Sequence, residues 1–333
     1  MLTRVLGHSG IEVSALGMGC WAIGGPYWEV EGDNRNPMGW GAVDDRESIR
    51  AIHAATDLGV TFFDTADSYG CGHSEEILGQ ALQDRRNRVA IATKFGSVFD
   101  AAKQEYYPQP DLEITGEFIR SACEASLRRL GTDVIDLYQL HHGDYDLERL
   151  PEVVEALEDL VRTGKIRAYG WSTDDLDRAK AIGANDHCAA IQHRLHVLRN
   201  APEMLALCDE LDVASINRQP LAAGLLSGKF SVETKITDPH DGRNDWNMAD
   251  EPYTTAFRQI EALKEVLTSD GRSLVQGCLA WIWAQSDRTI PIPGFKNRKQ
   301  AEENAGALAK GPLTPEQAQE VSGMLARTLR EGT

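Results

Sequence analysis

No apolar stretch in the 333 residues is long enough to span a bilayer, and the opening Met-Leu-Thr-Arg-Val-Leu-Gly lacks the apolar core of a signal peptide. Cysteine is scarce and scattered, six residues at 20, 71, 123, 188, 208 and 278 with no C-x-x-C or other paired spacing. That pattern argues against a disulfide framework and a cysteine zinc site, and predicts a cytoplasmic protein. Basic residues are outnumbered, 34 Lys and Arg against 51 Asp and Glu, for a net charge of −17. Such a surface repels nucleic acid and anionic membrane, so neither is expected as a partner. There is no G-x-G-x-x-G after an early strand, as an open dinucleotide-binding sheet would show. The nine histidines include His141-His142 and His193-x-x-His196, but no H-E-x-x-H and no H-x-H at the first strand, so no metal is expected.

What is present is a soluble, core-forming composition, 42% apolar and 26% charged. Short runs rich in β-branched and apolar residues predict strands near 15–19, 60–63, 89–93, 135–140, 166–170, 189–192, 212–216 and 289–292. Amphipathic segments between and after them predict helices near 45–58, 74–83, 116–129, 151–162, 175–182, 201–209, 254–268, 273–285, 298–308 and 315–330. Asp44, Ser74, Thr115, Thr173, Ser273 and Thr314 stand at or near helix starts as N-caps. Strand–helix alternation implies a parallel sheet. Eight strands favour one α/β domain over 1–333: a single (β/α)₈ TIM barrel with an N-terminal β-hairpin at 3–13 and extra C-terminal helices. The long connections 20–43 and 226–252 read as loops rimming the mouth.

Successive strands then deliver polar groups to one end. Asp64 follows Gly-Val-Thr-Phe-Phe, Tyr69 comes five residues later, Lys94 ends Val-Ala-Ile-Ala-Thr-Lys and His141 ends Val-Ile-Asp-Leu-Tyr-Gln-Leu-His. In a barrel the C-terminal strand ends carry the chemistry. A phenol with an ordinary pKa near ~10 keeps its proton at neutral pH and can donate it. A neighbouring Lys94 ammonium should lower that pKa, Asp64 should hold the lysine charged, and His141 should orient a carbonyl. No serine or cysteine nucleophile with a base is evident.

The chain resembles the aldo-keto reductases, in particular the bacterial branch related to potassium-channel β-subunits. The likeness is carried by Leu-Gly-Met-Gly-Cys-Trp (16–21), Phe-Phe-Asp-Thr-Ala-Asp-Ser-Tyr-Gly (62–70), Ser-Glu-Glu-Ile-Leu-Gly (74–79) and Ala-Thr-Lys-Phe-Gly (92–96). It continues through Asp-Leu-Tyr-Gln-Leu-His (136–141), Gly-Lys-Ile-Arg-Ala-Tyr-Gly-Trp-Ser (164–172), Pro-Leu-Ala-Ala-Gly-Leu-Leu-Ser-Gly-Lys (220–229) and Ile-Pro-Ile-Pro-Gly-Phe-Lys-Asn-Arg-Lys-Gln-Ala-Glu-Glu-Asn (290–304). The resemblance implies NADP(H)-dependent reduction of an aldehyde or ketone, with Asp64, Tyr69, Lys94 and His141 as a tetrad and Tyr69 as general acid. It places Ser172 and Gln192 on the nicotinamide carboxamide, with Thr173 where relatives commonly have Asn. Arg218 stands where an aromatic ring usually stacks, since this chain reads Arg-Gln-Pro-Leu for Tyr-Ser-Pro-Leu. Leu221, Gly224 and Leu225 fall beside the pyrophosphate, and Gly294, Lys296, Arg298, Gln300, Glu303 and Asn304 belong to the adenosine segment. The bases at 296–299 reverse the local charge sign. Trp21, which also borders the cofactor, lines the substrate pocket with Tyr27, Trp28 and His142. The alternatives are an NADP-binding sensor with slow turnover and a metal-dependent barrel hydrolase or isomerase.

Overall fold

In the computed structural model, which describes residues 1–109 and 112–331, the chain begins with an antiparallel hairpin of β1 (Thr3–Val5) and β2 (Glu12–Ser14). β3 (Gly17–Gly19) follows, then a second hairpin, β4 (Tyr27–Glu31) and β5 (Asn34–Met38). β6 (Phe62–Asp64) and β7 (Ala90–Phe95) precede a third hairpin, β8 (Val98–Asp100) and β9 (Glu105–Tyr107). The remaining strands are β10 (Ile135–Leu140), β11 (Ile166–Ser172), β12 (Cys188–Arg194), β13 (Ala214–Arg218) and β14 (Thr289–Pro291). Ten α-helices among the described residues pack outside: α1 (Asp45–Asp57), α2 (His73–Leu82), α3 (Gly116–Leu130), α4 (Leu150–Arg162) and α5 (Leu176–Gly183). They continue with α6 (Pro202–Glu210), α7 (Tyr253–Leu267), α8 (Leu274–Trp283), α9 (Arg298–Gly306) and α10 (Pro315–Glu331). None is long and apolar enough to cross a membrane.

Eight parallel strands run in the order β14-β13-β12-β11-β10-β7-β6-β3. The two edges meet at a seam, where Gly19 bridges Gly294 and its amide donates to the Pro293 carbonyl at 3.0 Å. The (β/α)₈ barrel expected from the sequence is therefore the fold, with the hairpin ahead of it. Period-two alternation divides each strand. Phe62, Ala90, Ala92, Leu137, Ala168, Ala190, Ala214, Ile216 and Ile290 fill the lumen together with Leu6, Ile11 and Val13 of the hairpin region, which plugs the N-terminal end. Ile91, Phe95, Tyr138, Tyr169 and Ile191 face the helices. A sealed bottom and a packed lumen leave the C-terminal end as the place for chemistry.

That end is roofed on one side by a feature absent from the sequence reading. The 20–43 connection is not a loop throughout, because β4 and β5 join β8 and β9 in a four-stranded sheet, order β5-β4-β9-β8. The second long connection is zipped to it by backbone bonds. Gly41 N donates to His240 O at 3.2 Å, Gly242 N to Gly39 O at 3.0 Å, and Trp40 bridges Asp241.

Helix starts follow cap chemistry, with two corrections. Asp44 accepts from the Arg46 amide at 2.9 Å and Thr115 from the Phe118 amide at 3.2 Å. Ser273 and Gln276 form a reciprocal capping box, and Thr314 accepts from the Gln317 amide. Ser74 is not a cap. A 3₁₀ turn at Tyr69–Gly72 feeds α2 through Gly72, and the Ser74 hydroxyl instead donates to the Cys20 carbonyl at 2.8 Å. Thr173 is not the cap of α5 either; Asp175 is, accepting from the Arg178 amide at 2.9 Å.

The seam gives a stability test. A Cβ on Gly19 would lie 2.7 Å from the Ile292 carbonyl oxygen, which is backbone and cannot swing away. Gly19→Ala should lower unfolding free energy by about 1–3 kcal/mol. Gly323→Ala, in α10 with nothing within 4 Å of the new methyl, should raise it by roughly 0.5–1 kcal/mol. Urea titration checks both; a neutral Gly19→Ala would show that the seam is not tightly packed.

Candidate active site

Asp64 ends β6 and Lys94 lies in β7, both facing the top of the lumen and both buried. The Lys94 ammonium has three hydrogens and three acceptors: Asp64 Oδ1 at 2.5 Å, the Thr65 carbonyl at 2.7 Å and Tyr69 Oη at 3.1 Å. The other Asp64 oxygen accepts from Gln192 Nε2 at 2.7 Å and Gln139 Nε2 at 3.1 Å. Both oxygens of the buried carboxylate thus have partners, a cation on one and two amides on the other. Because Tyr69 accepts from the ammonium, its own hydrogen is left to point into the pocket.

The connection carrying Tyr69 is pinned underneath. Thr65 donates to Ser74 and Ser74 to the Cys20 carbonyl, while fully buried Glu75 accepts from Thr93 Oγ1 and Arg129 Nε, each at 2.6 Å. His141 follows β10, its ring centroid 5.7 Å from that of Tyr69 and its Nδ1 3.5 Å from Ser68 Oγ. Desolvation, then the Lys94 and Arg218 cations and His142, hold this imidazole well below its usual range, so it is neutral at pH 7. The phenol departs from expectation. Burial raises the Tyr69 pKa, Lys94 pulls it down, Asp64 pushes it up, and the net direction is upward. Lysine lowers the phenol only against a larger desolvation cost. Lys94 itself, though burial opposes its charge, is raised by Asp64 and Tyr69 and stays an ammonium.

Two of the expected wall residues, Trp21 and Tyr27, cluster beside Tyr69. Trp21 lies edge-on to Tyr69 at 5.0 Å and 5.9 Å from Tyr27, and its buried Nε1 has no hydrogen-bond partner among the described residues. Trp28 sits on the roofing sheet, 5.5 Å from His240 of the second long connection, with Arg35 over its face. His142 turns away toward Tyr145 and the Gln109 carbonyl. Ser172 and Gln192 close β11 and lie near the end of β12, paired in register. The Thr173 hydroxyl donates to the Gly143 carbonyl and accepts from the Asp175 amide, so it is occupied structurally. Arg218 ends β13 with Nη2 2.8 Å from Asp174 Oδ2.

The 221–227 turn is tightly wound, with positive φ at Ala222, Ala223 and Gly224. Such left-handed backbone at non-glycine positions costs on the order of 1 kcal/mol each and is typical of ligand clamps. Arg243 donates to the Ala223 carbonyl and to Asp241 from within the long connection, and lies over the Trp40 ring at 4.1 Å. A Cβ at Gly224 would come 3.2 Å from its Nη1. Leu221 accepts from the Gly224 amide inside the turn, and Leu225 is half-buried beside it. Burial, then Arg243, lowers the Lys229 pKa; Asp241 opposes this and Lys296 adds to it. Lys296 donates to the Trp40 carbonyl at 2.6 Å and Asn304 to the Gly294 carbonyl. Gln300 caps back onto the Lys296 amide, and the Glu303 carbonyl accepts from Gln276. Arg298 faces solvent paired to Glu302, and its amide at the α9 N-terminus donates to Glu47 Oε1 at 2.9 Å. A basic slot of Lys229, Arg243 and Lys296 thus fits a polyanion. Gln139, Lys229 and Arg243 escaped the sequence reading. Gln139 had a signal, being two residues before His141 on the same strand face.

Three known proteins bear on these features. A probable aldo-keto reductase 1 of Glycine max is 32% identical over 311 residues, 91% of this chain and 83% of that protein. The solved glycerol dehydrogenase of Gluconobacter oxydans superposes with a TM-score of 0.82 at 28% identity, covering 98% of this chain and 95% of that one. An aldo-keto reductase of Klebsiella pneumoniae, solved in complex with NADPH, gives 0.70 at 25% identity, covering 98% and 96%. The family model described as Aldo/keto reductase family matches residues 15–326. With that match spanning the barrel and the buried Asp64–Lys94–Tyr69 cluster, the chain belongs to the aldo/keto reductase family.

Proposed function

We propose that this protein reduces aldehyde or ketone carbonyls with NADPH, Tyr69 being the proton donor. The observation that carries the reading is the Lys94 ammonium donating to the Tyr69 oxygen while Asp64 holds it charged in a buried site. The cofactor is supported by the NADPH complex of the Klebsiella pneumoniae relative and by the basic slot beside the 221–227 turn. When bound, NADPH supplies a hydride to the carbonyl carbon. Tyr69 transfers its proton to the oxygen, and Lys94 stabilises the phenolate left behind. Neutral His141 orients the oxygen without placing a second cation on it. Ser172 and the side-chain amide of Gln192 hold the nicotinamide carboxamide, with Trp21 and Arg218 beside the ring. Lys229, Arg243 and the turn at Leu221, Gly224 and Leu225 hold the pyrophosphate. Gly294, Lys296, Arg298, Gln300, Glu303 and Asn304 line the adenosine end. Trp21, Tyr27 and Trp28 form aromatic walls suited to a small aldehyde, ketone or sugar, with His142 at the edge.

Tyr69→Phe should cut carbonyl turnover by ~10²–10⁴ while leaving NADPH binding in place. Wild-type rates from that variant, measured as NADPH consumption against aldehydes, ketones, quinones and sugars, would remove Tyr69 from the role.

Oxidation of an alcohol runs the step backwards and needs the phenolate. Lys94 favours the phenolate and buried Asp64 opposes it, so Lys94→Met raises the phenol pKa further. The rising limb of the oxidation pH profile should move to higher pH, and an unmoved limb at full activity would exclude the coupling.

Glu47 occupies the first amide of α9, held from behind by Arg50 at 2.6 Å. A 2′-phosphate gripped there must displace this carboxylate. Glu47→Gln should lower the Michaelis constant for NADPH several-fold and leave that for NADH little changed, by about the strength of one charge-assisted contact. Equal effects on both cofactors would place the 2′-phosphate elsewhere.

A further inference from the structure

Arg218 is the site residue whose side chain differs in charge from the aromatic ring usual at its position, and the fold fixes it from two directions. β12 and β13 pair so that Arg218 is level with Arg194, one step beyond Gln192 and Ile216 on the same strand faces. Since Gln192 bonds Asp64 inside the lumen and Ile216 is part of the lumen core, alternation puts Arg218 on the inner side at the mouth. Asp174 then pins it, one oxygen 2.8 Å from Arg218 Nη2 and the other accepting the Arg194 amide at 2.7 Å. The guanidinium is three-quarters covered, its side chain 25% exposed. Its charge is felt at the centre, drawing the Tyr69 phenol and the His141 imidazole down.

We propose that the Arg218–Asp174 pair is an oxidation-state selector, which makes this protein hold NADP⁺ weakly relative to NADPH. The inference rests on the reading above, that the nicotinamide lies against Arg218 at the barrel mouth. That ring is neutral in the reduced cofactor and cationic in the oxidised one. A planar guanidinium stacks well on a neutral ring but repels a cationic one. An aromatic side chain does the reverse, because its negative face attracts a cation. Asp174 offsets part of the charge at the barrel mouth, yet it is shared with the Arg194 amide and does not cancel it. The pair therefore penalises the form of the cofactor that carbonyl reduction leaves behind. Oxidised cofactor departs readily, and in a mixed pool the site fills with NADPH.

The test is the ratio of dissociation constants, Kd for NADP⁺ over Kd for NADPH, from intrinsic-fluorescence titration of wild type, Arg218→Tyr, Arg218→Met and Arg218→Lys. Removing the charge should lower this ratio about tenfold in the Tyr variant, which also gains the attraction of a ring face, and several-fold in the Met variant. Arg218→Lys keeps the charge and should keep the wild-type ratio even if both constants rise from the lost stacking. A Met variant with the wild-type ratio, or a Lys variant that falls as far as Met, overturns the selector while leaving the cofactor reading intact. Wild-type protein that binds neither cofactor overturns that reading, and the selector with it.

Discussion

The Asp64 carboxylate is the interaction on which the site depends. A lone carboxylate in a barrel lumen would surrender its charge, because desolvation costs far more than any packing returns. Here Lys94 bonds one of its oxygens and the amides of Gln139 and Gln192 bond the other. Those three partners come from β7, β10 and β12, so one buried anion ties four strands at the level where the chemistry occurs. Tyr69 receives a hydrogen bond from an ammonium only because that anion holds the ammonium charged. The loop bearing Tyr69 is in turn set by the Thr65–Ser74–Cys20 chain and by Glu75, whose two oxygens reach β7 and α3.

The barrel was legible because burial on both faces turns each parallel strand into an apolar run that turn residues interrupt. Strand ends were read one or two residues short, at 62–64, 90–95 and 214–218, since Asp64, Lys94 and Arg218 look like loop residues until the mouth of a barrel gives them a reason to be in a strand. The roofing sheet was not legible in the same way. Its hairpins are half-exposed and polar, with Asn34-Arg35-Asn36-Pro37 in β5. One signal was there to be used, since Gly32-Asp33 between the alternating Tyr27–Glu31 run and Asn34 is a two-residue hairpin turn. Arg243 carried no signal, being a single arginine in a polar connection that only the zipper to Gly39 and Gly41 brings over Trp40. The direction of the Tyr69 shift was equally out of reach, because sequence names the neighbouring charge but not the depth of burial that outweighs it.

Charge is distributed against the bulk of the protein. A chain of net −17 gathers Lys94, Arg218, Lys229, Arg243 and Lys296 around one opening. Each is matched by fewer acids than its neighbours would suggest, with Asp64, Asp174 and Asp241 doing the compensation. A low-dielectric rim with cations inside an acidic exterior focuses field lines on the mouth, so an incoming polyanion is repelled everywhere except along one approach.

The seam between Gly19 and Gly294 joins the first barrel strand to the segment after the last, across most of the chain. Emerging from the ribosome, β3 therefore waits with one edge unpaired until nearly everything else has been synthesised. During that interval the half-built barrel offers a bare strand edge to any neighbouring chain, the state from which intermolecular strand pairing starts. Closure also makes contacts of very long sequence separation, which are formed late and slowly. Gly19 thus sits where the last edge must dock, backbone against backbone, at a position with no room for a side chain beside the Ile292 carbonyl.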